Sequence, residues 1–158
     1  MKKINFNEFK NISLLKEQGG SWSTLYSAEY NNISVIIKAQ NKGSLAKTNH
    51  EDDRFLQEKS ISNLNIPNCV KCYGWGNNFN GERFLVYEKL VPVPKSITSE
   101  KAIETANTVL LASRQLYLIG FNWMSSMSHV MWDKDGFTKI IDFNDDKEQL
   151  SFFLEDNQ

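Results

Sequence analysis

The chain carries no excess of charge of either sign: 18 basic and 19 acidic residues among 158 leave a formal charge of −1. No global field draws it toward nucleic acid or an anionic membrane, and neither is expected as a partner. It lacks an apolar leader, since Met1-Lys2-Lys3 runs directly into Asn5, Asn7, Glu8 and Lys10. A cytoplasmic protein is therefore expected, with delivery to another cell by a route that needs no cleaved signal left open. No apolar run approaches membrane-spanning length, because Ser113, Arg114 and Gln115 interrupt the longest helical candidate. Cysteine is scarce. Cys69 and Cys72 form a C-x-x-C, and the only histidines, His50 and His129, are distant in sequence. The pair could be a redox couple or half a zinc site. Alternation through Cys69-Val70-Lys71-Cys72-Tyr73 also fits a strand with its small apolar side chains inward, and that reading is preferred. There is no internal repeat and no low-complexity tract, so the length suits a single domain, divided at most into two small lobes.

What is present reads as strands first. Leu14 and Leu15 lead through Gly19-Gly20 to the β-prone Thr24 to Ala28, Asn31-Asn32 is the next turn, and Ile33 to Lys38 is a β-branched strand. Asn41 to Leu45 is a loop. Asp52 to Ile61 then has helical period, with Phe55, Leu56, Ile61 and Leu64 as the apolar stripe and Pro67 closing the helical zone. Val70 to Trp75 and Arg83 to Glu88 are two further strands, joined around Asn78-Phe79-Asn80-Gly81. Val91-Pro92-Val93-Pro94 is a stiff extended connector and the expected lobe boundary. Beyond it, Ser99 is read as a helix cap with Glu100 in the first turn; Ile103, Ala106, Val109, Leu110 and Ser113 track one face until Gly120 ends the helix. Val130 to Trp132 and Phe137 to Ile141 form a hairpin around Asp133-Lys134-Asp135-Gly136. A terminal helix over 144–158 would carry Leu150, Phe153 and Leu154.

Three stretches fall in an order with chemical meaning: Val35-Ile36-Ile37-Lys38 on a strand, Glu58 on a helix, and Ile140-Ile141-Asp142-Phe143 at a strand end. A strand lysine, a helix carboxylate and a strand-end aspartate make a cation-and-metal clamp for a nucleoside triphosphate. In this order the segments resemble a protein kinase domain from its glycine-rich loop to just past its metal-binding aspartate. Gln18 to Tyr26 resembles G-x-G-x-x-G-x-V with Gly20 as the glycine in register, and Val35 to Lys38 resembles V-A-I-K. Phe55 to Glu58 followed by Leu64 to Gly74 is similar to the family's helix-to-fourth-strand passage, the most specific match. Phe84 to Leu90 resembles the fifth strand and hinge.

The resemblance implies a two-lobed α+β fold: a five-stranded antiparallel sheet with one helix over 1–90, a connector over 91–97 and a small, mainly helical lobe over 98–158. It also implies roles. Gly20, Lys38, Glu58, Tyr87 as gatekeeper, the backbone of Glu88 and Leu90, and Asp142 would bind ATP, with Asp142 holding Mg2+, helped by Asp145 or Asp146. Thr138 to Asn144 resembles the strand into D-F-G with Asn144 for glycine, which still tolerates the turn.

The departures are as informative. From Asn122 to His129 there is no acidic residue. Laid without a gap on H-R-D-L-x-x-x-N, this loop puts Asn122 at the histidine, Met124 at the catalytic aspartate and His129 at the metal-binding asparagine. Met124 has no oxygen to orient a substrate hydroxyl, and the imidazole of His129 is a poor ligand for a hard ion. The chain also ends soon after Phe143, where the family continues into an activation segment. The expected function is a pseudokinase: a minimal kinase-like module, such as a bacterial or phage effector or regulator, that binds an unidentified protein partner with or without ATP. The rival from another class is an active atypical kinase or nucleotidyltransferase with His129 or Asp145 as base, and a third reading is a structural binder with an occluded cleft. Bland roles stay open beside these. Asp142 fits a turn or cap, His129 a loop packing residue, and Trp22 either a stacking platform or a seal.

Overall fold

The computed structural model describes residues 1–15, 22–41, 53–123 and 127–143. The turn at Gly19-Gly20, His50, the helix start at Asp52, Met124, Ser125, Ser126, Asn144, Asp145, Asp146 and the terminal helix read over 144–158 lie outside these residues. The chain divides into two compact units, Met1–Asn63 with Lys71–Lys89, and Leu64–Val70 with Leu90–Gln158.

The first unit is built on a five-stranded antiparallel sheet. Its strands are β1 (Phe9–Leu14), β2 (Ser23–Tyr30), β3 (Ile33–Gln40), β4 (Cys72–Phe79) and β5 (Glu82–Glu88), in the order β1-β2-β3-β5-β4. Two hairpins follow from asparagine. Tyr30 pairs with Ile33 across Asn31 (φ 50°) and Asn32 (φ 63°), and Phe79 pairs with Glu82 across Asn80 (φ 51°) and Gly81 (φ 81°). A two-residue turn with both central residues at positive φ matches the strand twist, and Asn and Gly adopt that region at least cost. The second turn is tighter than the sequence suggests, so β4 runs on to Phe79. It also begins later than expected. Cys69 and Val70 belong to the second unit, where Cys69 bridges Ile140 in parallel and the Val70 N–H donates to the Ile140 carbonyl (3.0 Å). The alternation read through Cys69 to Tyr73 therefore spans a boundary rather than one strand.

Period-two alternation gives the sheet two different faces. Val35, Ile37 and Ala39 of β3, with Phe84 and Val86 of β5, join Ile4, Phe9, Ala28, Tyr30 and Phe79 in one apolar core. The amino-terminal segment closes this core by running along β4, where the Ile4 N–H donates to the Trp75 carbonyl (2.7 Å) and the Trp75 N–H to the Lys2 carbonyl (3.0 Å). Gly76 permits the approach, since a Cβ there would collide with the Phe84 ring and the Ile4 carbonyl.

The opposite face carries helix α1 (Arg54–Ser62). Asp53 is its N-cap, accepting from the Leu56 N–H (3.2 Å). Its buried stripe is Phe55, Glu58, Ile61 and Ser62, whereas Leu64, read as part of that stripe, is exposed. The helix ends at Ser62, well ahead of Pro67, with Asn65 in the left-handed region. Spacing of three and four residues puts Glu58 on the same side as Phe55, Ile61 and Ser62, so this helix buries a carboxylate in its packed face.

The second unit combines helix α2 (Ser99–Leu118) with a three-stranded sheet of β6 (Val91–Pro92), β7 (Val130–Trp132) and β8 (Thr138–Ile140) in that order. The expected connector is partly strand: Val91 pairs with Trp132 and Pro92 with Met131. Pro92 is tolerated because β6 is an edge. The hairpin turn is organised by Asp133, whose carboxylate accepts from the N–H groups of Asp135 (2.9 Å) and Phe137 (3.0 Å), while Gly136 takes φ 81°.

Thr98, one residue earlier than read, is the N-cap of α2 through its hydroxyl to the Lys101 N–H (3.1 Å), and Gly120 at φ 92° follows the helix end. The buried side of α2 is Thr105, Ala112 and Leu116. This overturns the expected face: Ile103 and Leu110 are 62% and 66% exposed. Leu111, Tyr117 and Leu118 are exposed with them. An apolar stripe identifies a face but not its partner, and here β8 takes the smaller residues on the other side. No helix among the described residues is long and apolar enough to cross a membrane.

Candidate functional site

Lys38 sits on β3 opposite Leu85 of β5, on the face that α1 covers. Its ammonium donates to Glu58 Oε1 at 2.8 Å, and both residues are buried, Glu58 at 1% exposure. Taking two charges out of water costs several kcal/mol per ion, repaid only where geometry is close and hydrogen-bonded. Such a pair is weak evidence of stability for its own sake.

The surroundings hold α1 in register with β3 and β5. Arg83 on β5 clamps the helix start, its Nη1 and Nη2 each 3.0 Å from Asp53 Oδ2 and Oδ1, and its Nε donates to Gln40 (2.9 Å). Its guanidinium also stacks on Phe55, 4.4 Å from the ring centre. At the other end of α1 the hydroxyls of Ser62 and Tyr87 share a hydrogen bond of 2.8 Å. Burial, with the Glu58 charge next, holds the Tyr87 phenol well above its ordinary range, so it stays neutral. The residue expected as gatekeeper is thus pinned by its hydroxyl. The Asp53–Arg83 clamp was not read from the sequence, although Asp53 three residues ahead of Leu56 is a legible N-cap signal.

Trp22, immediately before β2, lies over the Lys38 ammonium, with its ring centre 5.1 Å from Nζ, and meets Phe55 edge-on at 6.4 Å. It is 6% exposed. The ring is therefore packed over the Lys38 ammonium rather than exposed at a loop tip. Its indole Nε1 is buried with no hydrogen-bond acceptor among the described residues. A buried donor left unmatched costs about 1–3 kcal/mol, so the closed position of the ring is held against a penalty.

Glu88 of the expected hinge is engaged within its own unit. Its N–H donates to the Lys71 carbonyl and its Oε1 accepts from the Lys71 N–H, both at 2.9 Å. Leu90 belongs to the second unit and is half-buried. Gly20 lies outside the described residues.

In the second unit the structure brings together two residues singled out separately. His129 Nε2 is 3.3 Å from Asp142 Oδ2, and the Ile141 N–H donates to the His129 carbonyl (3.0 Å). The Trp123 indole adds a bond to the Ile141 carbonyl (2.9 Å), and Phe143 is fully buried. Asp142 itself is at φ 73°. Aspartate, like asparagine, tolerates that region better than most residues, so the turn into Phe143 is compatible with its side chain.

No group of three or more histidine, cysteine, aspartate or glutamate side chains able to hold a metal is present among the described residues. Asp142 and His129 offer one carboxylate and one imidazole. Of the two, only the carboxylate is an oxygen donor of the kind a magnesium ion takes. The cysteines carry no such role: both are free, one in each unit, and burial pushes the thiols of Cys69 and Cys72 up to about 12. They stay protonated and poorly nucleophilic near neutral pH.

No protein-family model matches the chain, and no curated protein matches it in sequence.

Proposed function

We propose that this chain is a minimal kinase-like module that has lost ordinary phosphotransfer and acts as a pseudokinase, binding a protein partner with or without ATP and Mg2+. The observation that carries the reading is the buried Lys38–Glu58 pair at 2.8 Å. A strand lysine fixed by a helix carboxylate is what positions an ammonium for the α- and β-phosphates of a nucleotide. The kinase resemblance would give Asp142, at φ 73°, the role of magnesium ligand. Met124 at the position of the base supplies no proton acceptor, which separates binding from chemistry. The exposed apolar residues of α2, Ile103, Leu110 and Tyr117 at seven-residue spacing, give the partner reading a surface.

The pairing of His129 with Asp142 favours a second reading, an atypical kinase or nucleotidyltransferase with His129 as base. Titration with ATP and magnesium under thermal unfolding tests the first requirement, because a ligand of the native state raises the melting temperature. The pseudokinase reading expects a shift that Lys38→Ala abolishes, and no incorporation from γ- or α-labelled ATP. Incorporation lost in Lys38→Ala would replace it with the transferase; no shift would leave the structural binder.

A further inference from the structure

We infer that Trp22 is a gate on Lys38, and that an anionic polyphosphate reaches the ammonium only by displacing the indole. The inference rests on the nucleotide reading for its ligand but not for its geometry.

A phosphate oxygen must come to about 2.7–2.9 Å from an ammonium to accept a charge-assisted hydrogen bond. The Lys38 side chain is 11% exposed, with Glu58 Oε1 at 2.8 Å and the Trp22 ring centre at 5.1 Å. A ring centred there covers an approach to the ammonium that a phosphate would use.

The same contacts show how the gate opens. The Trp22 carbonyl accepts from the Asn41 N–H at 2.7 Å, which ties its backbone to the end of β3. Its ring makes a cation–π contact with Lys38 and an edge contact with Phe55, and its Nε1–H has no acceptor among the described residues. Rotation about the side-chain torsions frees that donor for water or for a phosphate oxygen while the strand stays in place. A polyphosphate exchanges the cation–π contact for charge-assisted hydrogen bonds. A weak monoanion has less to offer in return, so the gate discriminates by charge.

The test is acetylation of the full chain by an N-hydroxysuccinimide ester, read lysine by lysine in the mass spectrometer, with the exposed Lys10 and Lys89 as internal references. Lys38 should label roughly thirtyfold faster in Trp22→Ala than in wild type, the factor a desolvated cation–π contact corresponds to. Trp22→Phe should stay close to wild type, because it keeps a ring over the ammonium. Trp22→Leu serves in place of the alanine variant if the latter melts too low. Equal Lys38 labelling in wild type and a folded Trp22→Ala or Trp22→Leu variant overturns the gate.

Titration of the same proteins with inorganic tripolyphosphate and with ATP tests the ligand. Tighter binding to the variant supports the gate, and equal binding overturns it. If Lys38 is uncovered in the variant and neither ligand binds any of the proteins, the cover over Lys38 stands and the nucleotide reading fails instead.

Discussion

The first unit buries an ion pair beneath α1, and the second leaves its His129–Asp142 contact near water. Lys38 and Glu58 are buried, and Arg83 and Asp53 form a partly buried two-pronged pair with side chains 19% and 6% exposed. Asp142 and His129 are each about a third exposed, with side chains at 28% and 33%. The apolar groups show the reverse contrast, since the first unit collects its aromatic rings in the core while α2 turns leucines and an isoleucine outward. A buried ion pair carries a desolvation cost that its surroundings must offset, and in the first unit it lies between α1 and β3. The second has an aspartate at positive φ beside an imidazole, and a helix with exposed apolar side chains.

The largest effect that would break this contrast comes from separating the buried ions. Glu58→Ala leaves the Lys38 ammonium buried without its carboxylate and should cost about 3–5 kcal/mol in urea unfolding. Lys38→Met with Glu58→Leu should cost far less than either single change, because both desolvation penalties vanish together. If the double variant is as unstable as Glu58→Ala, the pair is not the element that costs energy.

A smaller effect compares the units through their thiols. The folded-state values of Cys69 and Cys72, pushed up to about 12, lie above the ordinary value of 9.0. Their contribution is therefore intact below about pH 9 and is lost as pH rises toward 12, at up to about 1.4 kcal/mol per pH unit for each thiol. Urea midpoints should fall between pH 8.5 and 10.5. Replacing Cys69 or Cys72 by alanine should flatten that fall. A midpoint independent of pH over that range would mean that neither thiol stays buried and neutral.

The smallest effect is expected on the outer side of α2. Leu110→Glu should change stability by no more than about 0.5 kcal/mol, since the side chain faces solvent. A loss of several kcal/mol would show that this face is covered in solution, and would move it from contact surface to core.

Much of the architecture was legible in short-range chemistry. Asn31-Asn32 and Asn80-Gly81 specify tight hairpins because few other residues accept positive φ twice in succession, and Gly120 marks the end of α2 in the same way. The β-branched run of β3 and the helical period of α1 placed Lys38 and Glu58 on the right elements. The boundaries failed where a local signal met a longer-range partner. Val70 reads as strand, and it does make a backbone bond, but to Ile140 rather than into β4. Val91 and Pro92 read as connector, and they pair with β7. The face of α2 failed for the same reason. Ile103, Ala106 and Leu110 form a sound apolar stripe, yet Thr105, Ala112 and Leu116 are the residues small or well placed enough to pack inward.

By itself the sequence determined the turns, the element types and the residue classes that could form a clamp, because these depend on torsion preferences and periodicity over a few neighbours. Only the tertiary structure decided that Lys38 and Glu58 meet at 2.8 Å, that Arg83 locks Asp53, that His129 lies against Asp142, and that the Trp22 ring covers the ammonium. Each of these is a contact between residues many positions apart. Periodicity fixes which way a side chain points on its own element, and the packing of one element on another fixes what it finds there.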